Sequence, residues 1–260
     1  MAEEILKIEN LVVTVRENAQ RKVILNGLNA SLRRGKITAL VGGSGSGKTT
    51  TGLCILRLLS SALTIEDGII LFEGKDVLKS SEREMRAVRG KEIGMVFQEP
   101  LSAFNPVFRI GEQIEEVVVQ HTDLDRDARC KRVLELLAMV GIAEPDRVCR
   151  SYPHQLSGGM RQRAMIAQAV AAGPKLIIAD EPTSNLDVTI QARILELFRK
   201  LCDELKLSIV LITHDLGVVE HLADDVVVLF QGKAVEAGPV RQILQNPRHE
   251  FTKQLMEAFR

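Results

Sequence analysis

The stretch "ITALVGGSGSGKTT", residues 37–50, decides how this chain folds. Apolar Ile37 to Val41 read as a buried strand, and "TTGLCILRLL" after the glycines reads as a helix. Between them, Gly42, Gly47, Lys48 and Thr49 fall in the pattern GxxxxGK[ST]. Glycine-rich backbone at that place curls so that successive N–H groups point at one anion, and the helix start adds its positive dipole end. The spacing therefore predicts a phosphate cradle from Gly42, Gly43, Ser44, Gly45, Ser46, Gly47, Lys48, Thr49 and Thr50. Lys48 is expected to reach the β- and γ-phosphates of a nucleotide, and the Thr49 hydroxyl to ligate Mg²⁺.

Working outward, the chain before and after this loop changes character. "ILKIENLVVTV", "KVILNGLNASL" and "KITALV" read as strands, and "GIILFEGKDV" as a hairpin turning at Glu73-Gly74-Lys75. After "KEIGMVFQ" the period becomes helical in "RIGEQIEEVVVQ" and "RDARCKRVLELLAMVG". The last third alternates: "KLIIAD", a helix from 188, "SIVLITH", another helix, "DDVVVLF". Alternation of this kind predicts an α/β fold with a mainly parallel sheet. The expectation is one nucleotide-binding domain over 1–260. Residues 1–98 and 173–260 form its core, with an N-terminal antiparallel β portion, and 99–172 form an inserted helical subdomain.

Composition narrows the function classes. Lys+Arg and Asp+Glu both number 34, so no broad electrostatic field for nucleic acid is expected. Aromatics are 3% of residues, with Tyr152 as the lone tyrosine and no tryptophan, too few for base-stacking platforms. No apolar run is long enough to span a bilayer, and "MAEEILKIEN" has no signal-peptide pattern, which points to a cytoplasmic protein. Cys54, Cys130, Cys149 and Cys202 form no CxxC pair and read as reduced thiols rather than metal ligands.

Three further strand ends carry polar groups. In "KLIIADEP", Asp180 matches a strand-end acid that holds Mg²⁺, and Glu181 beside it is placed to orient and polarise an attacking water. "IVLITHD" places His214, and "IGMVFQ" places Gln98, at other strand ends. A lone histidine there is commonly structural; a γ-phosphate contact is the functional alternative. The Gln98 amide could reach Mg²⁺ or the water. "HQLSGGMRQR", residues 154–163, is a second stretch with almost no side chain at its core, suited to an anion and equally to a helix N-cap. Asp187 likewise reads as the N-cap of a helix whose core face is Ile190, Ile194, Leu197 and Leu201.

Together these residues resemble the ATP-binding subunit of an ABC transporter, and the resemblance covers nearly the whole chain. The order matches: phosphate loop 42–49, Gln98, signature "LSGGM" 156–160, acid-ended strand 176–181, "SNLD" 184–187, switch histidine His214. The resemblance implies that two such ATPases face each other head to tail. Ser157, Gly158, Gly159 and Met160 would then close over a partner's ATP, and Ser184, Asn185, Leu186 and Asp187 would contact the opposite subunit. It implies Lys48, Glu181 and His214 as the catalytic set, with ATP and Mg²⁺ as cofactors. Two membrane-spanning permease subunits, a second ATPase and, indirectly, an extracytoplasmic solute-binding protein would be the partners, with no nucleic acid. Such a subunit sits on the cytoplasmic face of the inner membrane.

"QEPLSAFNPVFRIGEQI", "YPHQLSGGMRQR", "LDVTIQARIL" and "NPRHEFTKQLM" look like the dipeptide, oligopeptide and nickel importer ATPases, with "VGGSGSGKT" and a short C-terminus closer to the nickel type. A soluble ABC ATPase of translation or DNA maintenance is one alternative; the two cassettes, zinc inserts or coiled coils usual there are not in this sequence. An exporter ATPase is another, and the quoted phrases disfavour it. One departure stands out: no aromatic residue precedes Phe72, and Val15 lies about where the family stacks adenine. Weak discrimination between ATP and GTP is the expected result.

Overall fold

The computed structural model describes residues 3–17, 20–184 and 186–257. The chain divides into two compact units, residues 1–85 with 202–260, and residues 86–201.

The first unit opens with two long strands, β1 (Glu4–Glu17) and β2 (Gln20–Arg33), paired antiparallel. Their apolar positions face one side: Leu6 opposes Leu32, Leu11 opposes Leu28 and Val13 opposes Leu25, all buried. Strand β3 (Ile37–Gly42) is buried along its whole length, as a central parallel strand covered on both faces must be. Helix α1 (Lys48–Leu56) follows it and packs on it through a face that includes Cys54 and Ile55. Burial raises the Cys54 thiol to about 12, so it behaves as a small apolar side chain. Strands β4 (Leu63–Phe72) and β5 (Lys75–Asp76) form the expected hairpin, β4 pairing with β1. The two residues of its turn, Glu73 (φ 47°) and Gly74 (φ 77°), are both left-handed, the turn that suits the twist of a hairpin. Helix α2 (Glu82–Val88) comes next.

In the second unit β6 (Ile93–Val96) pairs in parallel with β7 (Leu176–Asp180). Between them in sequence lie α3 (Pro100–Ala103), α4 (Ile110–His121), α5 (Arg126–Met139), α6 (Pro145–Arg150) and α7 (Gly158–Val170). Ile110, Ile114 and Val118 form the buried stripe of α4 at a spacing of four, and Asp125 caps α5 through the Ala128 N–H at 2.9 Å. Helix α8 (Val188–Leu205) buries Ile194, Leu197 and Leu201, the face anticipated from its period.

The chain then returns to the first unit with β8 (Ser208–Ile212), α9 (Leu216–Leu222), β9 (Asp225–Phe230) and β10 (Lys233–Pro239). Strands β8 and β9 run parallel to β3 on either side of it, and β10 closes the edge antiparallel to β9. The antiparallel edge strand and the two C-terminal helices, α10 (Val240–Gln245) and α11 (Glu250–Glu257), go beyond the strand–helix alternation read from the sequence. They complete a core in which Ala39 and Val41 of β3 meet Val219 of α9 and Ile243 of α10, with Phe251 of α11 against it.

Candidate functional site

In the first unit the chain leaves β3 at Gly42 and tightens into a turn, the Ser46 N–H donating to the Gly43 carbonyl at 3.2 Å. Gly47, at φ 100°, is the N-cap of α1. The left-handed backbone favours glycine there, and a Cβ would press on the end of the buried Leu25 side chain, which would have to shift. The Gly47 carbonyl accepts the Thr51 N–H and hydroxyl, both at 2.8 Å, which pins the first turn of the helix.

Lys48 is buried (9% exposed), its ammonium donating to the Gly42 and Gly43 carbonyls at 2.9 and 3.0 Å. The cation is thus held over the loop. Ser46 Oγ is buried with no hydrogen-bond partner among the described residues, and the space over Gly43 and Gly45 is open. A loop with a fixed cation, an unanswered hydroxyl, an open face and a helix start beneath it fits a phosphate group. Ser44 and Thr49 are exposed and Thr50 half-buried on its rim.

His214 lies two residues past β8 rather than at its end, and is exposed. Because β8 and β3 are parallel neighbours, with Leu40 opposite Ile212, His214 and the phosphate loop leave the sheet at the same edge. Asp215 beside it accepts the Gly217 and Val218 N–H groups at 2.8 and 3.2 Å and so caps α9. That role was missed at the sequence level, although Asp before an apolar helix is an N-cap signal.

In the second unit β7 ends on Asp180, only 4% exposed. Glu181, next in line, has φ 46°, the left-handed region uncommon for a residue with a side chain. Its carbonyl accepts the Ser184 N–H and hydroxyl at 3.1 and 2.9 Å, closing the turn that imposes this backbone. Gln98 is placed differently from the sequence expectation: β6 stops at Val96, and Gln98 stands two residues beyond, exposed beside exposed Phe97. A strand is hydrogen-bonded only as far as its neighbour runs alongside, and the β6–β7 pairing ends at Val96 with Ala179. Among the described residues no group of three or more His, Cys, Asp or Glu is arranged for a metal. Mg²⁺ held through one carboxylate, a hydroxyl and substrate phosphates needs no such group.

The signature segment starts α7. Ser157 is the N-cap, its hydroxyl accepting the Met160 N–H at 3.3 Å, and it is exposed. Gly158 faces Leu186, and a Cβ on Gly159 would come within 2.8 Å of Ile190 Cγ2. Leu186 and, at the start of α8, Ile190 therefore lean directly on the signature glycines, a contact between motifs that spacing could not reveal. Asp187 caps α8 by accepting the Ile190 N–H at 3.0 Å; Ser184 holds Glu181 as described, and Asn185 lies outside the described residues.

The family model for the ABC transporter matches residues 25–184, and one for an AAA domain matches 150–220. The oligopeptide transport ATP-binding protein OppD of Bacillus subtilis is 47% identical over 255 residues, 98% of this chain and 71% of that protein. The glutathione import ATP-binding protein GsiA of Shigella dysenteriae is 43% identical over 263 residues, 99% of this chain and 42% of its own length. Among solved structures, the dimeric post-hydrolysis state of the ATP-binding cassette MJ0796 bound to ADP and Pi superposes with a TM-score of 0.81. It is 28% identical, and the match covers 91% of this chain and 99% of that one. The family match spans both the phosphate loop and the signature segment of this chain. The chain belongs to the ABC transporter family, as one of its ATP-hydrolysing cassettes.

Proposed function

We propose that this cassette powers an importer for peptides at the cytoplasmic face of the inner membrane, as a peripheral subunit. The relatives named above carry oligopeptides and glutathione in their names, which favours a peptide-class cargo over the nickel suggested by "VGGSGSGKT". Among the described residues no helix is long and apolar enough to cross a membrane, so permease subunits would form the path. Their docking surface on this chain is the segment around 98–120, where Leu101, Val107 and Phe108 are exposed apolar side chains beside Phe97. Residues 99–172 act as the signature subdomain on a core of 1–98 and 173–260. The solute-binding protein meets the permeases and not this chain, and no nucleic acid is involved.

Residues 42–50 hold the ATP phosphates, Lys48 neutralising the β- and γ-oxygens. Thr49, Asp180 and Gln98 hold Mg²⁺, which when bound spreads the charge developing on the phosphoryl oxygens. Glu181 orients and deprotonates the attacking water, and His214 supports the γ-phosphate. Ser157, Gly158, Gly159 and Met160 grip the nucleotide of a second ATPase, with Ser184 to Asp187 coupling the two subunits. Binding then favours closure and hydrolysis releases it. Without an aromatic residue near Val15, ATP and GTP should bind within about tenfold of each other; a strong ATP preference would count against this.

One observation carries the clamp: the second anion-binding helix start is displayed on the surface, with Ser157 exposed. The test is the molar mass of Glu181→Gln in Mg-ATP by size-exclusion chromatography with light scattering. An ATP-dependent dimer that disappears in Glu181→Gln/Ser157→Arg is expected. A monomer that binds ATP would mean that the missing face belongs to a different ATPase or needs the membrane subunits, and would direct the search to co-purified partners.

A further inference from the structure

In the second unit, Cys130 of α5 and Cys149 of α6 line one cavity of about 260 Å³. The two helices pack on each other, and α4 supplies the third wall. Gly111 of α4 makes the room: a Cβ there would lie 2.2 Å from Cys149 Sγ and 2.8 Å from the Cys149 carbonyl oxygen, so a bare backbone is what lets the thiol sit against this helix. Cys130 is exposed and Cys149 half-buried, whereas Cys54 and Cys202 are buried. Burial raises the Cys149 thiol above its ordinary value, and the neighbouring Cys130 and then Asp146 raise it further. Cys149 therefore waits as a thiol, while Cys130 is the sulfur that reagents in solvent reach first. Neither residue belongs to the nucleotide-binding motifs or to the segment 98–120.

Two thiols facing one cavity can share a metal ion or a covalent bond. Among the described residues no group of three or more His, Cys, Asp or Glu is arranged for a metal, which favours the bond. We propose that Cys130 and Cys149 are a reactive thiol pair that a low-molecular-weight disulfide converts to an intramolecular disulfide. The Cys130 thiolate attacks one sulfur of the small disulfide, whose S–S bond breaks and releases one thiolate. Cys149 then gives its proton to water and attacks Cys130 Sγ, expelling the second thiolate. Both released thiolates take up protons. Two protein thiols are thereby oxidised, and one small disulfide is reduced to two thiols. The product ties α5 to α6 across the connection at 140–144 and is undone by excess thiol.

The test uses the full chain, reduced, freed of small thiols and treated with oxidised glutathione. Peptide mass spectrometry and thiol titration in denaturant read the outcome. The titre, four per chain when reduced, should fall by two as a linked Cys130–Cys149 peptide forms, and dithiothreitol should restore it. Cys130 should react at least about tenfold faster than the buried Cys54 and Cys202. Cys149→Ser should stop at a glutathione adduct on Cys130, and Cys130→Ser should lose the link altogether. Melting temperatures of the reduced variants check their folds, and the peptide map of the unmutated chain decides even if a variant misfolds. The proposal is overturned by absence of the linked peptide, by a glutathione adduct that persists on Cys130 of the unmutated chain, by a link to Cys54 or Cys202, or by a bond between two chains.

Discussion

The phosphate loop and the signature segment use one chemistry in two architectures. Both are glycine-rich entries to a helix, and both offer backbone N–H groups and a dipole end to an anion. The loop at 42–49 curls in on itself: Gly47 is left-handed, Lys48 is folded inward, and Ser46 Oγ is buried without a partner among the described residues. The signature at 157–160 has ordinary backbone, an exposed serine that caps its own helix, and glycines pressed against Leu186 and Ile190. The first has the geometry of a self-contained grip; the second has the geometry of one displayed face. An enclosing grip is built by local backbone geometry, whereas a displayed grip becomes a site only when another surface meets it.

Substitutions can break this contrast at its extremes. The largest effect is expected at Glu181, where Ala or Gly should reduce phosphate release by about 10²–10⁴-fold while nucleotide binding persists. The two variants should nevertheless differ in stability, because only glycine is at ease at φ 46°. Glu181→Gly should be more stable than Glu181→Ala by about 1 kcal/mol, read from thermal melts; equal melts would mean that the turn relaxes. Next comes Gly47→Ala, which forces a side chain into a left-handed backbone against Leu25. It should destabilise by about 1–3 kcal/mol and abolish tight nucleotide binding, measured by titration with a fluorescent ATP analogue. If Gly47→Ala binds normally, the loop is not the enclosing grip described here.

Ser157→Ala sharpens the other side. Losing the N-cap should destabilise by about 1 kcal/mol and, on the proposed reading that the signature grips a partner's nucleotide, leave single-site nucleotide affinity unchanged. A matching fall in affinity would erase the distinction between the two grips. The smallest effect is at the C-terminal tail, remote in sequence from both. Burial works against the Glu236 carboxylate, but the Arg248 and His249 N–H groups, at 2.9 and 3.1 Å, hold it below the usual carboxylate range. A depressed carboxylate stabilises the fold above its ordinary value near 4.5 and loses that contribution as pH falls through the folded value. Glu236→Gln should therefore speed amide exchange in α11 by a few-fold at pH 7 and by much less at acid pH.

Much of the fold was legible because its signals are local. Strand β3 announced itself as a mostly apolar run, α4 and α8 as stripes at helical spacing, and the Glu73-Gly74 turn by its glycine. Gln98 and His214 were read as strand ends but stand two residues past β6 and β8; for Gln98, apolar Phe97 runs on past the last paired residue. "NPRHEFTKQLM" was legible only as a subfamily phrase. In the fold it is a docking device, Phe251 stacking on Phe230 at 4.2 Å while Glu236 receives the backbone ahead of α11.

By itself the sequence determined the candidates for chemistry: a cradle at 42–50, acids at 180 and 181, and glycines at 158 and 159. Those depend on residue type and on neighbours a few positions away, so one chain suffices to read them. The tertiary structure alone decided the left-handed backbone at Glu181, the seating of Ile190 on Gly159, and the meeting of Cys130 with Cys149 in one cavity. Each follows from close contact between segments distant in the chain or from a turn that hydrogen bonds must close. No periodicity records such contacts, because packing, not pattern, brings those atoms together.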